Sequence, residues 1–426
     1  MFSSISYPAI LPWCFSLLLI NSFCTIFKAT VNPNETDHLA LLSIKAQLHD
    51  PLGVMGSWNN SVPLCLWTGV SCGHRHQRVT KLDLRSQSLE GRLSPSIGTL
   101  PTNLSHCSNL IVIDFHKNNL VGEIPVQIGY LLKLEHLHAD INHLSGPLPA
   151  SIGNLSNLLV IGLSENSLGG RVPDKLGQLR RLERVNLYYN NFSGMVPASI
   201  YNVSSLERLY FSRNRLSGSL PPNIGFTLQN LKHFVITHNY FTGSLPDSLS
   251  NASHLEIIDI AKNSFSGKVS IDFSGLNNIY WINMAGNNLG TGTTDDLGFV
   301  TSLINCSKFA VFSLNKNQFG GVLPRSITNL STTIIRISIG SNRISGTIPP
   351  GIGNLVNLTG IGMEDNQISG TIPHVIERLS GHTSAERLYY SFSGHTHAER
   401  LMTYTYVERP QKPTLIITGE GYMVLL

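Results

Sequence analysis

Apolar residues return along this chain in a fixed frame around an asparagine. At Asn190 the frame is Leu182, Val185 and Leu187 before it and Phe192 after it, with Gly194 and Pro197 closing the unit. The same frame surrounds Asn118, Asn142, Asn166, Asn214, Asn239, Asn263, Asn287, Asn317, Asn342 and Asn366, mostly 24 residues apart. The stretch VTKLDLRSQSLEG is a degenerate first copy with Gln87 in the asparagine slot, so the chain holds about twelve units. A fixed period of about 20–30 residues predicts a solenoid, in which each unit is one coil and the stack presents a long surface.

Within a unit the apolar–x–apolar pair (Leu209 and Phe211, Ile258 and Ile260) alternates with period two, which predicts a short strand with one buried face. Every unit enters the stack in the same direction, so the strands pair in parallel. The asparagine ends the strand inside the coil. There its amide both donates and accepts hydrogen bonds and serves backbone groups that the turn leaves open. The glycine four residues later supplies a backbone angle closed to other residues, and the proline of EIP, PLP or TIP fixes φ on the return path. A single coil buries too few side chains to offset the entropy of ordering its backbone, so stability belongs to the stack. The expected fold is an α/β solenoid.

Composition then removes several functions. Only 13% of residues are charged and the net charge is +4, too weak and dispersed for a nucleic-acid surface. Residues 1–30 carry a short apolar core, AILPWCFSLLLI, broken by Pro12, and read as a signal peptide although no basic residue precedes the core. No apolar run of 18 follows it, so no membrane span is expected after the leader. Ten Asn-x-Ser/Thr sequons agree with the secretory pathway and an extracellular or cell-surface location: Asn34, Asn59, Asn103, Asn154, Asn191, Asn202, Asn251, Asn305, Asn329 and Asn357.

Cysteine usage points the same way. Cys14 and Cys24 fall in the leader, and Cys65 and Cys72 stand just ahead of the first repeat, where a disulfide would staple a cap. Cys107 and Cys306 share one phase of the repeat eight units apart. At ~4.8 Å per strand that is roughly 40 Å, too far to bond, so both are expected as buried free thiols.

Catalytic constellations are missing. No arrangement of Ser, His and Asp or of paired carboxylates suggests an enclosed site. GTGTTDDLG, from Gly290, lacks the third glycine of a phosphate loop and occupies the longer interval between Asn287 and Asn317, so it reads as an insertion. His136 and His138, with Asp140 beyond, offer too few ligands for a metal. No cofactor is expected.

The repeat LxxLxLxxNxLxGxIP, together with NETDHLALLSIKAQLHDPLGVMGSWNNSVPLCLWTGVSC, resembles the ectodomains of plant leucine-rich-repeat receptor-like kinases of the immune-receptor-like subfamily, over about residues 34–380. That resemblance implies a horseshoe with a parallel concave sheet. It implies an N-terminal cap over 34–78, with an amphipathic helix (Leu39, Leu42, Leu48), the pair Trp58 and Trp67, and the two cysteines, followed by repeats over 79–379. It also implies an extracellular sensor that binds a peptide or protein and works with a co-receptor kinase.

Departures from the family pattern are as informative. No transmembrane helix follows, and no glycine-rich loop, VAIK-type lysine, HRD or DFG motif. The chain therefore reads as truncated before its membrane helix and kinase, and as non-catalytic. The wide spacing from Gln87 to Asn118, with the join GTLPTNLSHC, reads as a deletion of repeats. The pattern stops after Leu379, where SGHTSAERL recurs as SGHTHAERL, and residues 380–426 read as an off-pattern, disordered tail that leaves the last coil uncapped. The alternative function is a secreted leucine-rich-repeat inhibitor of a microbial cell-wall-degrading enzyme. Such inhibitors usually end in a second disulfide cap, which this chain lacks after Asn366.

In a horseshoe of this kind the outward strand residues form the binding wall. The ligand-binding candidates are Arg184, Tyr188, Tyr189, Arg208, Tyr210, Arg213, His233 and His238, with Trp281 two units on. Tyr, Trp and Arg are enriched at binding hot spots. By contrast the last two units offer Ser338, Gly340, Gly360 and Gly362, which are small. His116, His136, His138, His233 and His238 are expected on the same wall. Since histidine titrates near ~6.5, acidic ligands are expected to bind more tightly at lower pH.

Overall fold

The computed structural model describes residues 33–75, 77–93, 109–371 and 373–374, and three short strands further on. The leader with Cys14 and Cys24, the join with Asn103 and Cys107, and most of 380–426 lie outside the described residues. The chain forms two compact units, Met1–Phe241 and Thr242–Leu426.

The first unit opens with the cap. Its helix, Pro33–Lys45, buries Leu41 and Ile44, while Leu39 is 52% exposed and Leu48 lies beyond the helix in a short strand. The buried stripe is thus two positions on from the expected Leu39–Leu42 face. Trp58 and Trp67 stack at 5.4 Å with both rings buried. Each indole N–H donates at 2.9 Å to a backbone carbonyl, Thr68 for Trp58 and Val62 for Trp67. Cys65 and Cys72 form the expected disulfide. A buried bidentate pair, Arg78 to Asp37 at 2.7 Å for both bonds, ties the helix to the first repeat.

Seven parallel strands follow in register: Val79–Asp83, Val112–Asp114, His136–His138, Val160–Gly162, Arg184–Asn186, Arg208–Tyr210 and His233–Val235. Each coil also carries a second strand after its asparagine, which the sequence reading did not anticipate. These run from Glu90–Arg92 through Asn119–Gly122, His143–Pro147, Ser167–Gly170 and Asn191–Met195 to Arg215–Gly218. Their cause is a second period-two stretch, in which Asn191 is exposed, Phe192 buried and Ser193 half-buried. The cap closes one edge of both sheets: Val70–Cys72 pairs antiparallel with Val79–Asp83, and Leu48–His49 with Glu90–Gly91. Covered edges cannot template aggregation.

The asparagine ladder is built as the sequence implies. Asn142 donates from its amide to Phe115 O of the preceding coil at 2.9 Å and to Ala139 O of its own at 3.2 Å, and accepts from Leu120 N at 3.0 Å. Asn166, Asn190 and Asn214 repeat this pattern coil by coil. The glycine four residues after the asparagine has positive φ, 74° at Gly146 and 77° at Gly194. Return paths start at a proline with φ near −67° and run as short 3₁₀ segments, such as Ala150–Asn154 after Pro149.

The second unit repeats the plan with parallel strands Ile257–Asp259, Trp281–Asn283, Val311–Ser313, Arg336–Ser338 and Gly360–Gly362. Together the two units supply the twelve expected repeat strands. The Gly290 insertion is organised around Asp296, which is fully buried and accepts from Thr291 N, Gly292 N and Gly320 N at 2.8–3.0 Å. An internal carboxylate takes up the converging backbone N–H groups of the insertion. Cys306 is a buried free thiol, and burial pushes its pKa up to about 11.

Two short strand pairings are described beyond the repeats. Tyr389–Ser391 pairs in parallel with Gly360–Gly362, and Ile416–Ile417 pairs antiparallel with Met423–Val424. The open edge of the last repeat strand carries unpaired backbone groups, and a Tyr-Tyr-Ser stretch has the strand preference to occupy it.

Candidate functional site

Parallel register converts the repeat into rows of side chains. Arg184 stands opposite Arg208, and Arg208 opposite His233. In the next row Asn186 faces Tyr210, which faces Val235. All these residues except Val235 are half-buried. The first unit therefore brings five predicted residues together on consecutive strands: Arg184, Arg208, Tyr210, His233 and, just past its strand, Tyr188. The Tyr210 hydroxyl and His233 Nδ1 share a short hydrogen bond, with the rings edge to face at 5.8 Å.

Three predicted residues lie elsewhere. Tyr189, Arg213 and His238 have φ of 52°, 52° and 55°, so they form the left-handed turn between the strand and the ladder asparagine. The coil must reverse at that point, and one residue per unit takes the strain. The guanidinium of Arg213 lies 5.6 Å over the Tyr189 ring. Trp281, in the second unit, is only 3% exposed. Its register partners Ile257 and Val311 are equally buried, so this stretch of the row is closed and the indole is not a presented anchor.

Electrostatics on the first unit's face are mixed. Lys232 holds the Glu207 carboxyl below its usual range; its ammonium is at 2.9 Å and the Arg208 guanidinium at 3.6 Å. Glu135 and Glu183 precede their strands in the same position as Glu207. The position is not uniformly acidic, since Leu159 and Lys232 occupy it before Val160–Gly162 and His233–Val235. Arg184 carries a buried Nε with no hydrogen-bond partner among the described residues.

His136 and His138 stack at 6.2 Å. Burial first, and then the charge of His138, lower the His136 pKa, so this residue charges only below the ordinary histidine range. Burial would raise the Asp140 pKa, but His138 and the Ser164 hydroxyl and N–H hold it down. Among the described residues, no three His, Cys, Asp or Glu side chains are placed to hold a metal.

A groove of about 720 Å³ runs beside the turn row, along Lys117, Ile141, Glu165 and Tyr189 on one side and Asn119, His143 and Ser167 on the other. Sequence reading did not find it, because its two walls come from the turn and the second strand of successive coils.

Of the sequons, Asn154, Asn191, Asn202, Asn251, Asn305, Asn329 and Asn357 are exposed and Asn59 is half-buried.

Comparison with known proteins agrees with this architecture. The leucine rich repeat N-terminal domain matches residues 34–73, and leucine rich repeat families match 181–203, 205–226, 229–289 and 333–355. The LRR receptor-like serine/threonine-protein kinase EFR of Arabidopsis thaliana is 48% identical over 399 residues, 82% of this chain and 38% of that protein. The receptor kinase-like protein Xa21 of Oryza sativa subsp. japonica is 39% identical over 90 residues, 21% of this chain and 9% of that protein. This chain thus spans well under half the length of these relatives. Among solved structures, PEPR1-AtPEP1 matches with a TM-score of 0.73 and 29% identity, over 84% of this chain and 49% of that one. The HAESA LRR ectodomain of Arabidopsis, solved with a peptide hormone ligand, matches with a TM-score of 0.59 and 26% identity, over 84% of this chain and 70% of that one. Every matched family region is cap or repeat.

Proposed function

Because this chain belongs to the plant leucine-rich-repeat receptor-like kinase ectodomains, we propose that it is an extracellular binding module for a peptide or protein ligand. The observation that carries this reading is the register of Arg184, Arg208 and His233, with Tyr188 and Tyr210 beside them, on consecutive strands of the first unit. Strands ~4.8 Å apart put these groups within reach of one extended ligand. Aromatic faces supply contact area at little entropic cost, and the guanidiniums supply directional donors. The mixed row of Glu207 and Lys232 favours a ligand carrying both charges over a purely acidic one.

The HAESA ectodomain was solved with a peptide hormone, and PEPR1 with AtPEP1, which makes a peptide the first ligand class to test. A co-receptor kinase is the second partner this reading calls for. Among the described residues no helix is long and apolar enough to cross a membrane.

The test selects peptides from a display library on the wild-type chain, then measures them on the triple variant Tyr188→Ala, Arg208→Ala, Tyr210→Ala. Capture should fall by about a hundredfold or more, as hot-spot truncation at ~2 kcal/mol or more per residue allows. Thermal stability should stay nearly unchanged. Undiminished capture by a folded triple variant would remove the face from consideration.

A further inference from the structure

The groove beside the turn row ends at a modification sequon. Asn119, His143, Ser167 and Asn191 are repeat equivalents, each the first residue after a ladder asparagine. Three of them line the groove. The fourth heads the sequon Asn191-Phe192-Ser193 and is exposed. Two residues earlier Tyr189, 52% exposed, lines the same groove.

Groove chemistry fits a sugar better than a hydrophobic segment. The amides of Asn118, Asn142 and Asn166 are spent on the ladder. The side chains of Asn119, His143 and Ser167 make no hydrogen bond among the described residues and are available to hydroxyl and acetamido groups. An aromatic ring at one end offers a stacking face. The volume, about 720 Å³, lies in the range of sites that hold small ligands, ~300–1,000 Å³.

We propose that this groove is the bed of an N-glycan on Asn191, whose first N-acetylglucosamines lie back along Tyr189, Ser167 and His143. Attachment transfers the oligosaccharide from its lipid diphosphate carrier. Asn191 Nδ2 forms the bond to the sugar C1 and gives up a proton, and the lipid diphosphate leaves. Asn154 and Asn202 instead end 3₁₀ segments on the return path and do not line this groove. A seated glycan covers this flank and leaves the strand face open, so the inference rests on the extracellular reading.

The experiment secretes the full chain from insect cells and maps each site by glycopeptide mass spectrometry. The native protein is then digested with an amidase that releases N-glycans. Release at Asn191 is expected to be about tenfold slower than at Asn202, the ratio that ~1.4 kcal/mol of protection gives. Tyr189→Ala and, independently, His143→Ala should bring the two rates together. Equal release from the wild-type chain would leave the groove open to a separate ligand and overturn the assignment. So would a bare Asn191 beside occupied Asn154 and Asn202. A chain bare at every sequon would overturn both this inference and the secretory reading.

Discussion

Each ladder asparagine serves two coils at once, which makes it costlier to lose than an ordinary buried amide. Asn214 donates to Leu187 O at 2.9 Å, Phe211 O at 3.1 Å and Ser212 O at 3.2 Å, and accepts from Phe192 N at 3.0 Å. Asn214→Ala strands these buried groups and should cost about 2–4 kcal/mol in urea unfolding, one to two unsatisfied groups at ~1–3 kcal/mol each. Asn214→Asp keeps the shape but offers three carbonyls no donor. It should cost at least as much at pH 7 and recover part of the loss on acidification. An aspartate variant as stable as wild type at pH 7 would contradict the ladder's role. The repeat spacing made these asparagines legible. It left Tyr189, Arg213 and His238 looking like strand residues, because a left-handed φ leaves no mark on residue type there.

At the scale of one element, the longer loop between Asn287 and Asn317 shows how an insertion is accommodated. Its backbone N–H groups converge as in an anion site, and Asp296 is the anion. Burial would raise the Asp296 pKa, but the Gly320 N–H and the Thr291 hydroxyl and N–H outweigh it and leave it below the ordinary range. A carboxylate lowered on folding contributes stability above its unfolded pKa of ~3.9 and loses it as pH falls through the folded value. Asp296→Asn should therefore destabilise the second unit at pH 7 by ~1–3 kcal/mol. Urea melts should show that deficit shrinking only in strong acid; a deficit constant down to pH 2 would be the contrary result. The cap gives the opposite lesson about legibility. Its cysteines and tryptophans were readable, but the helix face was not. Leu39, Leu41, Leu42 and Ile44 are all apolar, and only packing chose Leu41 and Ile44 for the core.

Across the molecule, Asp259 is a carboxylate that acts against the lowered ones in acid. Asp259 is buried in its strand, and desolvation pushes its pKa up to about 7, against partial relief from Ala261 N–H, Asn283 and Trp281. The folded state thus holds this proton over a range where the unfolded chain has released it. The resulting stabilisation is full below ~3.9 and is lost as pH rises towards about 7. Asp259→Asn should flatten the pH dependence of unfolding between pH 4 and 7, and a variant with the wild-type slope would refute the assignment. Asp140, Asp83 and Glu207 are lowered and act in the other direction at more acidic pH. The sequence by itself determined the coil, its buried frame, the asparagine ladder and the order of the strands, because each follows from a local rule repeated every 24 residues. Tertiary structure alone decided which outward residues meet solvent. Trp281 and Tyr210 occupy outward strand positions, yet one is buried and the other is partly open. Burial on a sheet face is set by the side chains of adjacent coils, and no single repeat contains that information.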